Sequence, residues 1–196
     1  MSQPLGYAIG NALEVKEAID TLKGEGPEDL TELCLVLGSK MIVAGEKAET
    51  VEEGRRMLEE VIKDGSALNL FGKLIEAQGG DARIVHDPSR LPSAKFQIEV
   101  PALTSGTISK MEADEIGVAA MLLGAGRATK EDVIDLAVGI VLKKKIGDKV
   151  TVGEPVAIIH SNREDVAKSI GLIQKHIHIA NKEQEKPALI HEMITG

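Results

Sequence analysis

Aromatic side chains are nearly absent from this sequence: they account for 2% of its 196 residues, and there is no tryptophan. Aliphatic side chains must therefore fill the core. Proteins that bind single-stranded nucleic acids stack the bases on exposed aromatic rings, and the formal net charge of -8 repels a polyanion. The composition therefore argues against a nucleic-acid partner.

Cysteine and long apolar runs are also scarce. Cys34 is the single cysteine, so an intrachain disulfide is excluded, and its apolar helical setting predicts a buried thiol. No run reaches the roughly 18 apolar residues that a membrane span needs. The N-terminus lacks the charged and apolar regions of a secretory signal. We expect a cytoplasmic protein without a membrane partner.

The first part of the chain, residues 1–80, is predicted to be helical, with four helices in succession. Pro27 favours a helix start, and the helix over 27–43 is apolar on so much of its surface that we expect it to be buried in a large core. Thr50 and Glu53 have the spacing of a capping box.

The rest of the chain has a mixed pattern. Residues 81–106 are predicted to form a connector and the first strands, and residues 107–196 a lobe of short strands and helices, so the chain as a whole is α+β. Alternating apolar residues and turn signals mark the individual elements. The predicted strands are 96–100, 107–109, 137–143, 149–152 and 156–159. Helices are predicted over 116–123 and 163–177, with a short final element over 188–194.

The stretch from Met1 to Glu17 is a loop punctuated by glycine that leads directly into a helix. Gly6 and Gly10 permit backbone conformations closed to other residues, and Asn11 is the expected N-cap. A chain does not usually begin on so tight a connection. We therefore expect this stretch to be an internal junction of a longer protein.

Four long segments resemble one known family. They are SQPLGYAIGNALEVKEA, GPEDLTELCLVLG, EAQGGD and GAGRATKEDVIDLAVGIVLKKKIGD. They are similar to the C-terminal part of the pyrimidine-nucleoside phosphorylases, which are grouped with the thymidine phosphorylases, and the likeness runs from residue 1 to about residue 194. It implies that both parts belong to the large α/β domain of such an enzyme, the second as a C-terminal lobe with a barrel-like hammerhead.

The resemblance implies a pentosyltransferase of nucleoside metabolism and nucleotide salvage. Family members carry out reversible phosphorolysis of pyrimidine nucleosides (uridine, thymidine, deoxyuridine), with phosphate as co-substrate, to free base and pentose 1-phosphate. Their phosphate-binding and base-binding residues precede the segment matched here. No catalytic or cofactor-binding residue is therefore assigned to this chain, its preference between uridine and thymidine stays open, and we expect it to be inactive alone.

A missing N-terminal half follows from the same resemblance, because a family member carries more than half of its length before this point. The helix over 27–43 would lose neighbours with that half. We therefore expect exposed apolar surface on this helix and self-association of the chain.

A metal site is predicted in the opening stretch. A carboxylate and backbone carbonyls make an all-oxygen ligand set, which suits a hard cation. The resemblance implies a potassium ion held in part by Leu5, Ala8 and Glu17. The other family ligands lie in a glycine-rich phosphate-binding loop that is not in this chain, so these three residues form half a site.

Other polar clusters favour structural interpretations. The segment 124–127 superficially resembles a phosphate cradle, but a helix C-cap and turn is the favoured interpretation. His176 and His178 are expected on different faces of one helix, and Lys143, Lys144 and Lys145 at a solvated strand end.

The sequence also leaves two alternative functions open. The chain could be a stand-alone structural or interaction module derived from the same lobe. It could also be a biotinyl or lipoyl carrier, because the turns at 146–150 and 153–155 resemble carrier hairpins and Lys110–Met111 resembles an acceptor site. Ser109 before this lysine and the acidic run after it argue against the carrier.

Overall fold

The computed structural model describes residues 2–127 and 129–194, which contain six α-helices and seven strands. The helices are α1 (Asn11–Leu22), α2 (Glu28–Ala44), α3 (Val51–Lys63), α4 (Ser66–Ala77), α5 (Ala113–Ala120) and α6 (Ala167–His176). The strands are β1 (Ala8–Ile9), β2 (Phe96–Pro101), β3 (Gly106–Met111), β4 (Gly139–Leu142), β5 (Lys149–Val150), β6 (Pro155–Ser161) and β7 (Ile177–Ala180). The expected fold class, a mixture of helices and strands with four successive helices in the first part, is confirmed.

The chain divides into two compact units. The first comprises the residues up to Val15 together with Leu91–Ala188, and the second comprises Lys16–Arg90 and the described residues from Leu189 onwards. The division at residues 80 and 106 that the sequence suggested stays a prediction. Among the described residues, none of the helices combines the length and the apolar character that crossing a bilayer requires.

Helices α2 and α3 pack closely within the second unit. A Cβ added at Gly54 would lie 2.8 Å from the carbonyl oxygen of Ser39, and one added at Gly38 would lie 2.7 Å from a methyl carbon of Leu58. Glycine at both positions therefore lets the two helices approach each other. Arg55 of α3 also makes a bidentate pair with Glu32 of α2, at 2.7 and 2.9 Å.

The start of α3 has the predicted cap. The Thr50 hydroxyl accepts a hydrogen bond from the Glu53 backbone N–H at 3.1 Å. The Glu53 carboxylate, however, accepts from the Glu49 backbone N–H at 3.0 Å rather than from Thr50. The helix start was thus predicted correctly. The backbone N–H that binds the Glu53 carboxylate belongs to the residue before the N-cap, whereas in the standard capping box it belongs to the N-cap itself.

The apolar helix α2 is only partly buried. Leu35 and Ser39 are buried, whereas Leu37 is 54% exposed and Met41 is 73% exposed. Cys34 is exposed as well, so the prediction of a buried thiol was wrong. The exposed apolar surface expected on this helix is confirmed.

Two antiparallel sheets form the framework of the first unit. Strands β1, β4, β6 and β2 are adjacent in that order in the larger sheet, and β5, β3 and β7 in the smaller one. Ile140 of β4 and Ile98 of β2 both lie opposite Ile159 of β6, which is fully buried. The first strand of the chain is therefore the edge strand of a sheet built mainly from its second half.

One aliphatic core joins the two sheets to α5 and α6. Its fully buried members come from strands of both sheets and from both helices, and they include Val100, Ile108, Ile116, Ile140, Ile159 and Ile173. The buried Ser169 hydroxyl of α6 donates to the Ala119 carbonyl of α5 at 3.0 Å. The two helices thus meet through a satisfied polar contact inside an apolar core.

One predicted helix is shorter than expected, and one predicted element is absent. The helix expected over 163–177 begins only at Ala167 and ends at His176, and the chain continues directly as strand β7. Residues 188–194 contain no helix or strand. The helical pattern of 163–177 could not reveal β7, because pairing with β3, about 70 residues earlier, defines that strand.

Candidate functional site

The opening stretch enters the larger sheet through β1. The Leu142 backbone N–H donates to the Tyr7 carbonyl at 2.8 Å, and Ala8 lies opposite Val141. Ala8 and Val141 therefore form a non-hydrogen-bonded pair of the antiparallel ladder, and the Ala8 carbonyl points away from β4. Since β1 is an edge strand, this carbonyl faces the outer side of the sheet.

A left-handed glycine turns the backbone just before β1. Gly6 has a φ of 65°, a value that glycine adopts at little cost. Leu5 lies in the bend before it and is half-buried. The turn at Gly6 therefore separates the Leu5 carbonyl from the extended backbone that carries Ala8.

The start of α1 is capped differently from the prediction. Asn11 is the first helical residue rather than the N-cap, so that prediction was wrong. The Gly10 backbone N–H donates to the Glu14 carboxylate at 2.9 Å, and the Ala12 N–H donates to the Leu136 carbonyl at 3.1 Å. A side chain of the first turn and a distant carbonyl thus satisfy two backbone N–H groups at the start of the helix.

The predicted metal ligands lie in different parts of the chain. Leu5 and Ala8 are in the first unit, and Glu17 is a half-buried residue of α1 in the second. Within residues 2–127 and 129–194, no group of three or more His, Cys, Asp or Glu side chains is arranged to hold a metal. A site made mainly of backbone carbonyls does not need such a group, so the potassium set stays a prediction.

Lys145 is a residue of this region that the sequence did not reveal. It is buried, whereas Lys143 is exposed and Lys144 pairs with Glu154 at 2.5 Å. The prediction of a solvated basic run was therefore wrong for Lys145. Its Nζ donates to the Pro4 carbonyl at 2.5 Å, which connects residues 141 positions apart.

The glycine-rich segment after α5 ends that helix. Met121–Ala125 adds a π-helical turn, inside which Gly124 adopts a φ of 108°. The Asp135 backbone N–H donates to the Gly124 carbonyl at 2.9 Å. The predicted helix end and turn are therefore confirmed for residues 124–127.

A cleft of about 320 Å³ lies in the first unit between the start of α1 and the end of α5. Glu14 is the one ionisable side chain among the described residues that line it, and its carboxylate already accepts from Gly10. The other lining residues include Asn11, Gly117, Met121 and Gly126. This lining offers no basic side chain for a phosphate group.

The histidine pair is arranged differently from the prediction. His176 ends α6 and His178 lies in β7, so the two are not on one helix. Both lie beside Glu112: His176 Nδ1 is hydrogen-bonded to its carboxylate, and His178 Nε2 is 3.8 Å from it. The Lys110 ammonium, and after it His176, lower the pKa of Glu112 to about 2.

Lys110 is unsuited to the carrier function. It lies within β3 and opposite His178 of β7, not at the tip of a turn, and its ammonium pairs with Glu112. A carrier lysine must be free to receive the prosthetic group. The position of Lys110 therefore argues against the biotinyl or lipoyl alternative.

Two family models match the chain in succession. Residues 1–68 match the a/b domain of a glycosyl transferase family. Residues 107–180 match the pyrimidine nucleoside phosphorylase C-terminal domain. The first match contains the opening stretch with Leu5, Ala8 and Glu17, and the second contains β4 to β7, most of β3, and Lys145.

Curated relatives match along the whole chain. The pyrimidine-nucleoside phosphorylase of Bacillus subtilis (strain 168) is 63% identical over 195 residues, which are 100% of this chain and 45% of that protein. The enzymes of that name from Geobacillus stearothermophilus and Staphylococcus haemolyticus (strain JCSC1435) are 59% and 57% identical with the same coverage. The chain thus spans about half the length of the curated relatives it matches.

Proposed function

Because this chain belongs to the pyrimidine-nucleoside phosphorylase family, as its C-terminal part, we propose that it contributes to the reversible phosphorolysis of pyrimidine nucleosides. The observation that carries the proposal is the 63% identity to the Bacillus subtilis pyrimidine-nucleoside phosphorylase across the whole chain. At such identity, the fold and the packing of the corresponding parts are shared. We propose that this activity takes place in the cytoplasm, where an exposed free thiol such as that of Cys34 is kept reduced.

The proposed reaction is a transfer of the pentosyl group. An oxygen of orthophosphate attacks the anomeric carbon of the nucleoside, the bond from that carbon to the pyrimidine nitrogen breaks, and the nitrogen keeps the electron pair. The products are pentose 1-phosphate and the free base. Positioning of the reactants and stabilisation of charge on the departing base supply most of the catalysis in such a reaction.

The chain alone is proposed to be inactive. The family resemblance assigns the phosphate-binding and base-binding residues to the portion that precedes the match. The cleft beside α1 supports this assignment, since its described lining carries no basic side chain. The chain's own contribution is then structural support and half of a cation site.

A potassium ion is the proposed occupant of the opening stretch. Leu5 and Ala8 would provide carbonyl oxygens and Glu17 a carboxylate, a donor set that fits a hard cation of low charge. The turn at Gly6 and the outward direction of the Ala8 carbonyl are compatible with this role. Bound potassium would supply a fixed positive charge that holds the loop, and the remaining ligands would come from the N-terminal half.

The apolar face of α2 is proposed to bind that N-terminal half. Cys34, Leu37 and Met41 recur at three- and four-residue spacing and are all exposed. More than half of each relative lies outside the matched segment, so ample chain is available to cover this face. In the absence of that half, we propose that the same face drives self-association.

A chimera tests the function. This chain replaces the 195 matching residues of the Bacillus subtilis relative, and uridine phosphorolysis is followed by release of uracil. We expect turnover by the chimera and none by the isolated chain. Turnover by the isolated chain would overturn the inactivity, and a cooperatively folded but inactive chimera would overturn the enzymatic role in favour of a structural module.

Cys34 provides an independent test of the α2 interface. Its thiol is exposed in the isolated chain, and we expect a thiol reagent to label it readily. In the chimera, the peptide that contains Cys34 should be labelled much more slowly, as read by mass spectrometry. Equal labelling rates in the two proteins would show that the N-terminal half does not cover this face.

A further inference from the structure

A buried lysine is attached to the opening stretch. Lys145 is 7% exposed, and its Nζ donates to the Pro4 carbonyl at 2.5 Å. The same ammonium lies 5.0 Å from the centre of the Tyr7 ring, within the range of a cation–π interaction. Lysine is almost never fully buried unless it is paired. The burial of Lys145 therefore depends on these contacts with the start of the chain.

The contacts of Lys145 lie on both sides of Leu5. Pro4 immediately precedes Leu5, and Tyr7 immediately precedes Ala8. The hydrogen bond to the Pro4 carbonyl fixes the peptide unit between Pro4 and Leu5. The contact with the Tyr7 ring fixes the residue that leads into Ala8.

Neighbouring residues hold the same loop at two further points. The Ile146 backbone N–H donates to the Gln3 side-chain carbonyl at 2.9 Å, and the Leu142 N–H donates to the Tyr7 carbonyl at 2.8 Å. Lys145 is itself held by the turn that follows β4, where its N–H donates to the Asp148 carboxylate at 2.9 Å. Residues 142–146 thus form a fixed support for residues 3–7.

We propose that Lys145 is a positioning residue, which holds the backbone of Leu5 and Ala8 in the geometry that binds potassium. This inference rests on the potassium site of the proposed function and adds a residue to which neither family resemblance nor spacing assigns a role. Lys145 is not a ligand, because an ammonium cannot coordinate a cation. It acts through Pro4 and Tyr7.

The effect of removing the ammonium distinguishes positioning from repulsion. Potassium binding by carbonyls depends on the number and arrangement of their dipoles, so a loosened loop binds the ion more weakly. A buried positive charge also repels a nearby cation, and its removal alone would strengthen binding. Lys145→Met therefore weakens potassium binding if positioning dominates and strengthens it if repulsion dominates.

The experiment uses the chimera with the Bacillus subtilis N-terminal part, which would contain the whole site. The midpoint of thermal unfolding is measured against potassium concentration, with sodium as replacement at constant ionic strength. The potassium requirement is the potassium concentration that gives half of the full shift in this midpoint. For Lys145→Met we expect it to rise on the order of tenfold, which corresponds to a loss of about 1.4 kcal/mol in the free energy of potassium binding. Lys145→Arg, which keeps a cationic donor, should restore part of the loss.

Lys143→Met is the matched control. It removes the same charge two residues away, from an exposed side chain, and it should leave the potassium requirement unchanged. An equal loss of stability in potassium and sodium for Lys145→Met would overturn the proposal in favour of a purely structural role. A lowered potassium requirement would overturn it in favour of repulsion. If the unsubstituted chimera unfolds identically in both salts, the potassium site itself is wrong.

Hydrogen exchange of the isolated chain tests the positioning without any metal. Lys145→Met should accelerate amide exchange in the peptide that covers residues 3–9, and Lys145→Arg should do so less. Lys143→Met should not change it. Unchanged exchange in Lys145→Met would show that the ammonium does not hold the loop, independently of whether potassium binds.

Discussion

His176 and Glu112 are joined twice. Nδ1 of His176 is hydrogen-bonded to the Glu112 carboxylate, and the Glu112 backbone N–H donates to the His176 carbonyl at 3.1 Å. The last residue of α6 is thereby attached to the residue that precedes α5. A histidine at a helix C-terminus and a glutamate at a helix N-terminus are both favourably placed relative to the helix dipoles.

The contacts of the Glu112 carboxylate, first with the Lys110 ammonium and then with His176, predict a dependence of stability on pH. The folded-state pKa of Glu112, about 2, lies below the value of about 4.3 for an unperturbed glutamate. Its contribution to the free energy of unfolding is therefore complete above the unfolded-state pKa and is lost as the pH falls toward 2. Glu112→Gln should lower the free energy of unfolding at pH 7. The difference in this free energy between the variant and the unsubstituted chain should shrink as the pH falls from about 5 to about 2.

Urea unfolding at several pH values measures this difference. The matched control is Glu131→Gln, at an exposed position in a turn. We expect its curve to follow that of the unsubstituted chain. A difference for Glu112→Gln that grows on acidification would contradict the assignment of Glu112 as the stabilising carboxylate.

Gly139 is predicted to tolerate no side chain. A Cβ there would lie 2.2 Å from the Ile9 carbonyl oxygen and 3.1 Å from the Gly10 Cα, both of which are backbone atoms that cannot rotate away. We expect Gly139→Ala to destabilise the chain by about 3 kcal/mol, the upper end of overpacking effects. The shift in the midpoint of urea unfolding measures it.

Gly171→Ala is the control for this substitution. Gly171 lies in the exposed part of α6, and a Cβ there would meet nothing within 4 Å. Alanine in place of a helical glycine should stabilise by about 0.5–1 kcal/mol. Similar effects of the two substitutions would mean that β1 does not approach β4 as closely as the structure indicates.

The pair between Arg55 and Glu32 is predicted to make a small, salt-sensitive contribution. Its bidentate geometry is favourable, but both side chains are more than one-third exposed. Arg55→Lys should therefore cost about 0.5–1 kcal/mol in dilute buffer and less in 1 M salt, where screening is strong. Thermal unfolding at the two salt concentrations reports the effect, with the exposed neighbour Arg56→Lys as control.

Self-association through α2 is the fourth prediction. Replacing Leu37 and Met41 together by glutamine should shift the isolated chain toward monomer with little change in its melting temperature, because both side chains are exposed. Sedimentation velocity measures the assembly state. Leu35→Gln, in the buried part of the same helix, should instead lower the melting temperature strongly. Unchanged assembly in the double variant would mean that another surface is responsible.

Local signals in the sequence predicted the elements whose causes are local. The cap at Thr50, the turn at Gly124 that follows α5 and the alternation in β2 all depend on residues within a few positions of one another. Exposure of the α2 face followed from the family resemblance, since an apolar helix in a partial chain lacks part of its neighbours.

Distant contacts caused the wrong predictions. Lys145 is buried because it reaches Pro4, and His178 belongs to a strand because β3 pairs with β7. Cys34 is exposed although its neighbours in sequence are apolar, because α2 buries only one side of its surface. Periodicity along the chain carries no information about partners so far away. The potassium ligands stay a prediction that depends on the family resemblance.

The position of β1 has a consequence for how such proteins can be recombined. The edge strand of the larger sheet comes from the opening stretch, while its three other strands lie beyond residue 90. A lobe exchanged between relatives as one contiguous block would leave the hydrogen-bonding edge of β4 uncovered, and uncovered edges promote aggregation. A functional exchange therefore requires two separate segments to be moved together, so that residues 2–15 travel with the lobe they complete.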